Sequence, residues 1–207
     1  VLTHWPIEAE GLAMICDRNG KLISVSEKGL HRFDPITKSR QDFPFDRPRA
    51  RKIIDSYFLH EDITGNLWIF GLEGLIKASP GKNSYTYRYF VNQPTDPTSL
   101  SINTVLCAVD DPLEAARYLW LCTKGGGLNR LDKTSGKFQK FSKEQGLPDN
   151  VIYGILSEDK AQNGTASSYL WMSTNKGLCR FDVRTQTTKI FTVKDGLQDN
   201  EFNGNGH

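Results

Sequence analysis

The 207-residue sequence contains no run of about 18 apolar residues, which excludes a membrane-spanning helix within it. It has no excess of one charge. Twenty-six Lys and Arg stand against 24 Asp and Glu, whereas a dedicated nucleic-acid binder carries a strongly basic face. Cysteine is scarce: Cys16, Cys107, Cys122 and Cys179 are far apart in the chain and form no CxxC pair, so neither a zinc nor a redox site is expected. Cys107, Cys122 and Cys179 lie in apolar runs and read as small buried hydrophobes. His4, His31, His60 and His207 include no HxxxH or HxH pair. No metal and no cofactor is therefore expected. The start at Val1 lacks the basic region, apolar stretch and cleavage site of a signal peptide, and the end is Asn205-Gly206-His207. A mature segment or a fragment is expected on that reading.

What the chain does have is apolar material, 38% hydrophobic and 11% aromatic, too much for a disordered segment. That material recurs. Gly65-Asn66-Leu67-Trp68-Ile69, Leu119-Trp120-Leu121 and Leu170-Trp171-Met172 each follow an acidic marker, Asp62, Asp111 or Asp159. Each precedes a Gly-Leu segment: Gly74-Leu75, Gly127-Leu128 or Gly177-Leu178. The first copy runs from Asp17 through Ile23 to Gly29-Leu30-His31-Arg32-Phe33-Asp34. Ile23, Trp68, Trp120 and Trp171 are 45, 52 and 51 residues apart. Asn103, Asn150 and Asn200, each after a loop leucine (Leu100, Leu147, Leu197), mark the same period independently.

Each copy reads as four short strands rich in β-branched and aromatic residues and bounded by Gly, Asp, Asn and Pro. The tryptophan strand is apolar on both faces, so it is covered on both sides. A four-stranded sheet buried on both faces and repeated about every 45–50 residues is a propeller blade. The fold class is thus all-β: an arc of about four antiparallel blades, over residues 11–48, 53–92, 102–143 and 150–193. A further blade would start at 194–207, making the arc part of a larger propeller.

Asp96-Pro97-Thr98-Ser99-Leu100-Ser101-Ile102-Asn103 and Gly146-Leu147-Pro148-Asp149-Asn150 resemble the two-component regulator propeller repeat. So do Asp62-Ile63-Thr64-Gly65-Asn66-Leu67-Trp68-Ile69 and Gly177-Leu178-Cys179-Arg180-Phe181-Asp182. Departures are Ile23 for the tryptophan of copy one and Ala78-Ser79 where Phe-Asp stands elsewhere. The resemblance implies the extracytoplasmic, periplasmic sensor of a Bacteroidetes-type hybrid histidine kinase, with a seven-bladed propeller detecting glycan fragments. Implied partners are an oligosaccharide, the remaining blades, a downstream three-tyrosine β-sandwich and a second copy of the parent chain. Neither nucleic acid nor membrane contact by this segment is implied.

Several recurring residues could serve either packing or function. Trp68, Trp120 and Trp171, with Leu75, Leu128 and Leu178, hold identical repeat positions and read as blade core rather than as sugar-stacking platforms. Arg32, Lys77, Arg130 and Arg180 recur once per blade, with stems expected to cover apolar surface and heads expected in solvent. Asp34, Asp132 and Asp182 precede turns and suit local backbone bonding. A glycosidase needs two carboxylates about 5–9.5 Å apart, and no spacing here singles out such a pair, so no catalytic residue is assigned. The variable loops 112–118 and 160–168 are where specificity usually resides on a rigid scaffold, which selects Arg117, Tyr118, Gln162 and Asn163 as ligand-binding candidates. Two alternatives stay open: a propeller enzyme acting on polysaccharide (lyase or glycoside hydrolase), and an interaction propeller with another output such as a diguanylate cyclase.

Overall fold

The computed structural model describes residues 13–45, 58–158 and 165–202. Gln162, Asn163, Trp5 and the 49–52 connection lie outside them. The described chain forms four four-stranded antiparallel sheets, each strand pairing with the next in sequence. Blade one comprises β1 (Ala13–Cys16), β2 (Leu22–Ser26), β3 (Gly29–Asp34) and β4 (Ser39–Pro44). Blade two comprises β5 (Phe58–Glu61), β6 (Leu67–Gly71), β7 (Gly74–Pro80) and β8 (Tyr85–Phe90). Blade three has β9 (Val105–Asp110), β10 (Tyr118–Thr123), β11 (Leu128–Asp132) and β12 (Phe138–Phe141). Blade four has β13 (Ile152–Ser157), β14 (Tyr169–Thr174), β15 (Gly177–Asp182) and β16 (Thr187–Phe191). The first strands β1, β5, β9 and β13 neighbour one another in chain order, so the sheets stack as an arc around them. This is a β-propeller architecture.

The core lies between blades, and it repeats. Ile23, Val25, Leu30 and Phe43 of blade one meet Leu59, Leu67, Ile69, Ile76 and Ala78 of blade two. Trp68, Phe70, Leu75 and Phe90 meet Leu119, Leu121, Leu131 and Phe138 of blade three. Trp120, Leu128 and Phe141 meet Leu170, Met172, Cys179 and Phe181 of blade four. Alternate side chains of one strand thus serve two different interfaces, which is why both of its faces are apolar. The loop leucines Leu100 and Leu147 are buried in the second and third of these interfaces. Trp171 and Leu178 hold the same positions on blade four, yet both are only half-buried. No described blade covers that face.

The turn after each tryptophan strand needs glycine for a physical reason. Gly127 and Gly177 have φ of +74° and +100°, and a Cβ there would stand 2.0 and 2.2 Å from the carbonyl oxygens of Phe141 and Phe191. The second repeat marker is a loop clasp. Asn150 Oδ1 accepts the Lys143 N–H at 2.9 Å, Asn200 Oδ1 that of Val193 at 2.8 Å, and Asn103 Oδ1 that of Asn92 at 2.6 Å. The Asn150 carbonyl also accepts Gly127 N–H at 2.9 Å, as the Asn200 carbonyl accepts Gly177 N–H at 2.6 Å. The loops carrying Asn150 and Asn200 are thereby tied to the hairpin turns of the blades before them.

Candidate functional site

The loops between the first and second strands gather the polar residues. In blades one and two the acidic marker closes the turn: Asp62 Oδ1 accepts Thr64 N–H at 2.9 Å and Asn66 N–H at 3.0 Å, and Asp17 does the same for Asn19 and Lys21. The other oxygen reaches the core. The indole N–H of Trp68 donates to Asp62 Oδ2 and that of Trp120 to Asp111 Oδ2, both at 2.8 Å. Asp62 and Asp111 are fully buried. A buried tryptophan needs an acceptor for its one polar atom, and the loop before the strand supplies it, six residues ahead of Trp68 and nine ahead of Trp120. Where Ile23 replaces the tryptophan, Asp17 keeps only the turn.

Between blades two and three this rim carries a buried ion cluster. Lys133 Nζ stands 2.6 Å from Asp110 Oδ1, 3.2 Å from Asp62 Oδ2 and 2.7 Å from the Ala115 carbonyl. Its side chain is 4% exposed. Ile63 N–H donates to Asp110 Oδ2 at 2.9 Å, and His60 Nε2 lies 3.7 Å from the same oxygen. Burial acts to raise the Asp62 pKa, but hydrogen bonds from Thr64 and Trp68 and the charge of Lys133 outweigh it and hold the carboxyl well below the usual range. Asp110 is lowered in the same way, with burial opposed by His60 and Lys133.

Both carboxyls therefore titrate lower in the folded than in the unfolded chain, where the value is about 3.9. Their stabilisation is complete above that value and is lost as pH falls through the folded values. We expect the unfolding midpoint to drop steeply below about pH 4, and Asp62→Asn to make that drop shallower. Urea unfolding across this range, followed by tryptophan fluorescence, checks it.

Arg117 and Tyr118 stand beside this cluster, at the end of the loop leading into β10. Arg117 is exposed. Its Nε is 3.4 Å from Asp132 Oδ2, its Nη1 is 3.7 Å from Glu114 Oε2, and its guanidinium lies 4.8 Å from the Tyr118 ring centroid. Arg130 stacks on the same ring at 3.6 Å and pairs with Asp111 Oδ2 at 3.2 Å. The Tyr118 ring is thus held by two guanidiniums. A sugar ring would reach it only by displacing the exposed Arg117. Among the described residues, the sequence candidates brought together are these two, and the loop bearing Gln162 and Asn163 lies outside them.

The arginine series departs from expectation. The Arg130 side chain is 16% exposed and ion-paired to a buried carboxylate, Arg32 donates to the Tyr85 hydroxyl, and Arg180 stacks over Tyr169 at 4.1 Å. These heads are packed on aromatic faces and only partly exposed, because an aromatic residue stands beside each cation. Asp34, Asp132 and Asp182 do cap turns, accepting N–H bonds from Ile36, Thr134 and Arg184 at 2.9 Å each. The buried acid–lysine cluster was missed. Its signal was the repeat position after Asp132: Val183 fills it in blade four, buried, so Lys133 there implied a buried cation in need of partners.

One further constellation has the atom order of an acyl-transfer triad. Ser26 Oγ is 2.7 Å from His31 Nε2, and His31 Nδ1 is 2.7 Å from Asp42 Oδ1. Its setting is that of a turn brace. Lys28 N–H donates to Ser26 Oγ at 3.2 Å, as Lys176 N–H does to Thr174 Oγ1 at 3.0 Å in blade four. Arg40 occupies the same Asp42 oxygen at 2.8 Å, and Ser26 is only 7% exposed. A nucleophile needs access that this hydroxyl lacks. Among the described residues no group of three or more His, Cys, Asp or Glu is placed to hold a metal ion, and no helix is long and apolar enough to cross a membrane.

The fold and rim define a β-propeller segment with an ion-paired edge, and comparison with known proteins places it further. No family model matches the chain. A stretch of 69 residues, 33% of the chain, is 33% identical to Histidine kinase P4 of Formosa agariphila and covers 4% of that protein. In fold the chain is similar to the extracellular domain of the hybrid two-component system BT3049 of B. thetaiotaomicron, with a TM-score of 0.64, 21% identity, and coverage of 88% of this chain and 24% of that one. It is also similar to PorZ of the type-IX secretion system of Porphyromonas gingivalis, with a TM-score of 0.63, 13% identity and coverage of 91% and 28%. Virginiamycin B lyase of Staphylococcus aureus gives 0.60 at 13% identity, with coverage of 91% and 57%. Identities at this level establish the propeller fold alone. The chain spans a small part of the kinase and about a quarter of the sensor domain.

Proposed function

We propose that this chain is a ligand-sensing propeller segment from the extracytoplasmic part of a two-component histidine kinase, and that it detects glycan fragments. The observation that carries the reading is the sequence match to a histidine kinase, supported by the likeness of the whole arc to a two-component sensor domain. On this reading the remaining blades, a downstream β-sandwich and a kinase belong to the parent chain, which acts as a homodimer. Ligand binding changes the packing between blades or protomers, and that change is the signal. The rim of blade three is where binding is proposed, with exposed Arg117 swinging off Tyr118 to admit a sugar onto the ring and donating hydrogen bonds to its hydroxyls. Gln162 and Asn163 are proposed as further contacts.

The test is a panel of polysaccharide-derived oligosaccharides scored by thermal shift and calorimetry. One glycan class is expected to raise the unfolding midpoint. Arg117→Ala is expected to weaken that binding about tenfold, the loss of one charged hydrogen-bonding group, without lowering the midpoint of the free protein. A panel with no shift would remove the glycan reading. The same incubations, analysed for products, distinguish a propeller enzyme: turnover would replace the sensing reading by catalysis.

A further inference from the structure

Cys107 and Cys122, 15 positions apart in sequence, are direct partners across the β9–β10 pair. We propose that they form an intramolecular disulfide, a covalent modification site confined to blade three.

The backbone already holds the two residues within reach. Opposed residues of an antiparallel pair have Cα atoms about 4.5–5.5 Å apart, inside the span of about 4.4–6.8 Å that a disulfide bridges. Cys107 and Cys122 both turn to the blade-four side, where Cys122 is fully buried beside Trp120 and Cys107 is half-buried against the same cluster. Burial, together with the neighbouring Cys107 thiol, pushes Cys122 well above its usual pKa. The ladder shifts register between Cys122 and Thr123. Such a bulge interrupts the ladder and bends the strand beside Cys122.

The repeat shows that nothing in the blade requires thiols here. The equivalent pairs are Ala13 with Val25, Phe58 with Phe70, and Gly154 with Ser173. The two rings of the second pair stack at 5.8 Å. Cys16 and Cys179 are paired in the ladder with Leu22 and with Met172 and Ile190, so neither faces a second thiol.

The oxidant is a small-molecule disulfide such as oxidised glutathione. The more accessible Cys107 thiolate attacks one oxidant sulfur and releases one thiol. Cys122, deprotonated in turn, attacks the Cys107 sulfur of the mixed disulfide and releases the second. Two electrons and two protons pass from the cysteine pair to the oxidant. The ring so closed contains Asp111, Glu114, Arg117 and Tyr118, so the bond would fasten the loop that forms the rim. The pairing does not rest on the proposed function. An extracytoplasmic location would only make the oxidised form the resident one.

The experiment treats the folded chain with oxidised glutathione or with dithiothreitol, alkylates it in denaturant and maps its peptides. The expected result is a linked peptide pair containing Cys107 and Cys122, a mass lower by two hydrogen atoms, and an unfolding midpoint raised by several degrees that reductant reverses. Cys122→Ser is expected to stop at a glutathione adduct on Cys107. Full alkylation of both cysteines after oxidation of the folded protein, or a link that appears only once the chain is unfolded, would overturn the proposal. Peptide mapping of the unsubstituted chain decides the matter even if the serine variant does not fold.

Discussion

Lys133→Met is expected to destabilise the chain by about 3–5 kcal/mol, the usual cost of removing one partner from a buried ion cluster. The reason is what stays behind. Asp62 is fully buried and Asp110 largely so, and their carboxylates have Lys133 as the cation within 4 Å, apart from His60 at 3.7 Å from Asp110. Methionine fills the space of the lysine stem but supplies no charge and no donor to the Ala115 carbonyl. A second variant, combining Lys133→Met with Asp62→Asn and Asp110→Asn, is expected to recover most of the loss, since a neutral, well-packed replacement of a buried ion group is often near neutral. Equilibrium urea unfolding of the two variants measures both values. An unchanged midpoint for Lys133→Met would mean that the ammonium is hydrated in solution and that the blades are not pinned here.

Trp120→Ala and Trp171→Ala are expected to differ widely, although the two residues hold the same repeat position. Trp120 is completely buried, packs on Phe141 and Phe181 at 5.6 and 5.4 Å between centroids, and donates to Asp111. Its removal opens a large cavity and leaves a buried carboxylate short of a donor, a loss of about 3–5 kcal/mol. Trp171 stacks on Phe191 at 5.3 Å but is half-buried on a face that no described blade covers. Its truncation should cost about 1 kcal/mol, typical of a partly exposed site. Thermal unfolding of both variants gives the comparison. Equal losses would show that the blade-four face is covered in solution, by another copy of the chain if by nothing else.

The architecture was legible because a propeller writes its packing into a period. Trp68, Trp120 and Trp171 at one offset, with apolar neighbours on both sides, fixed the second strand, its two-sided burial and the stacking of sheets. The Gly-Leu and Asn markers likewise announced turns whose bonds are now visible. What the period could not show is whatever breaks it. Lys133 stands where blade four has the buried Val183, and one lysine in place of an apolar residue carries no repeated signal. Cys107 and Cys122 looked distant because a ladder that joins them is a tertiary fact, set by the length of the loop between β9 and β10. The arginine heads were read as solvated because their aromatic partners, Tyr118 and Tyr169, lie on the neighbouring strand, a pairing that only the sheet register brings about. The candidate site is legible only in part for the same reason: loops that vary between blades carry no repeated signal to align.

Blade three is fastened to its two neighbours by different chemistry, at opposite ends. At one end, main-chain N–H groups of Gly125 and Gly127 bind the Asn150 carbonyl, and the Lys124–Val151 bridge continues the contact. At the other, the second and third blades are joined by Lys133, Asp62 and Asp110. Peptide bonds to peptide are indifferent to acid and weakly sensitive to salt, whereas a carboxylate cluster answers to protons. Under acid, blade three would therefore loosen from blade two at its ionic end while its amide clasp to blade four held.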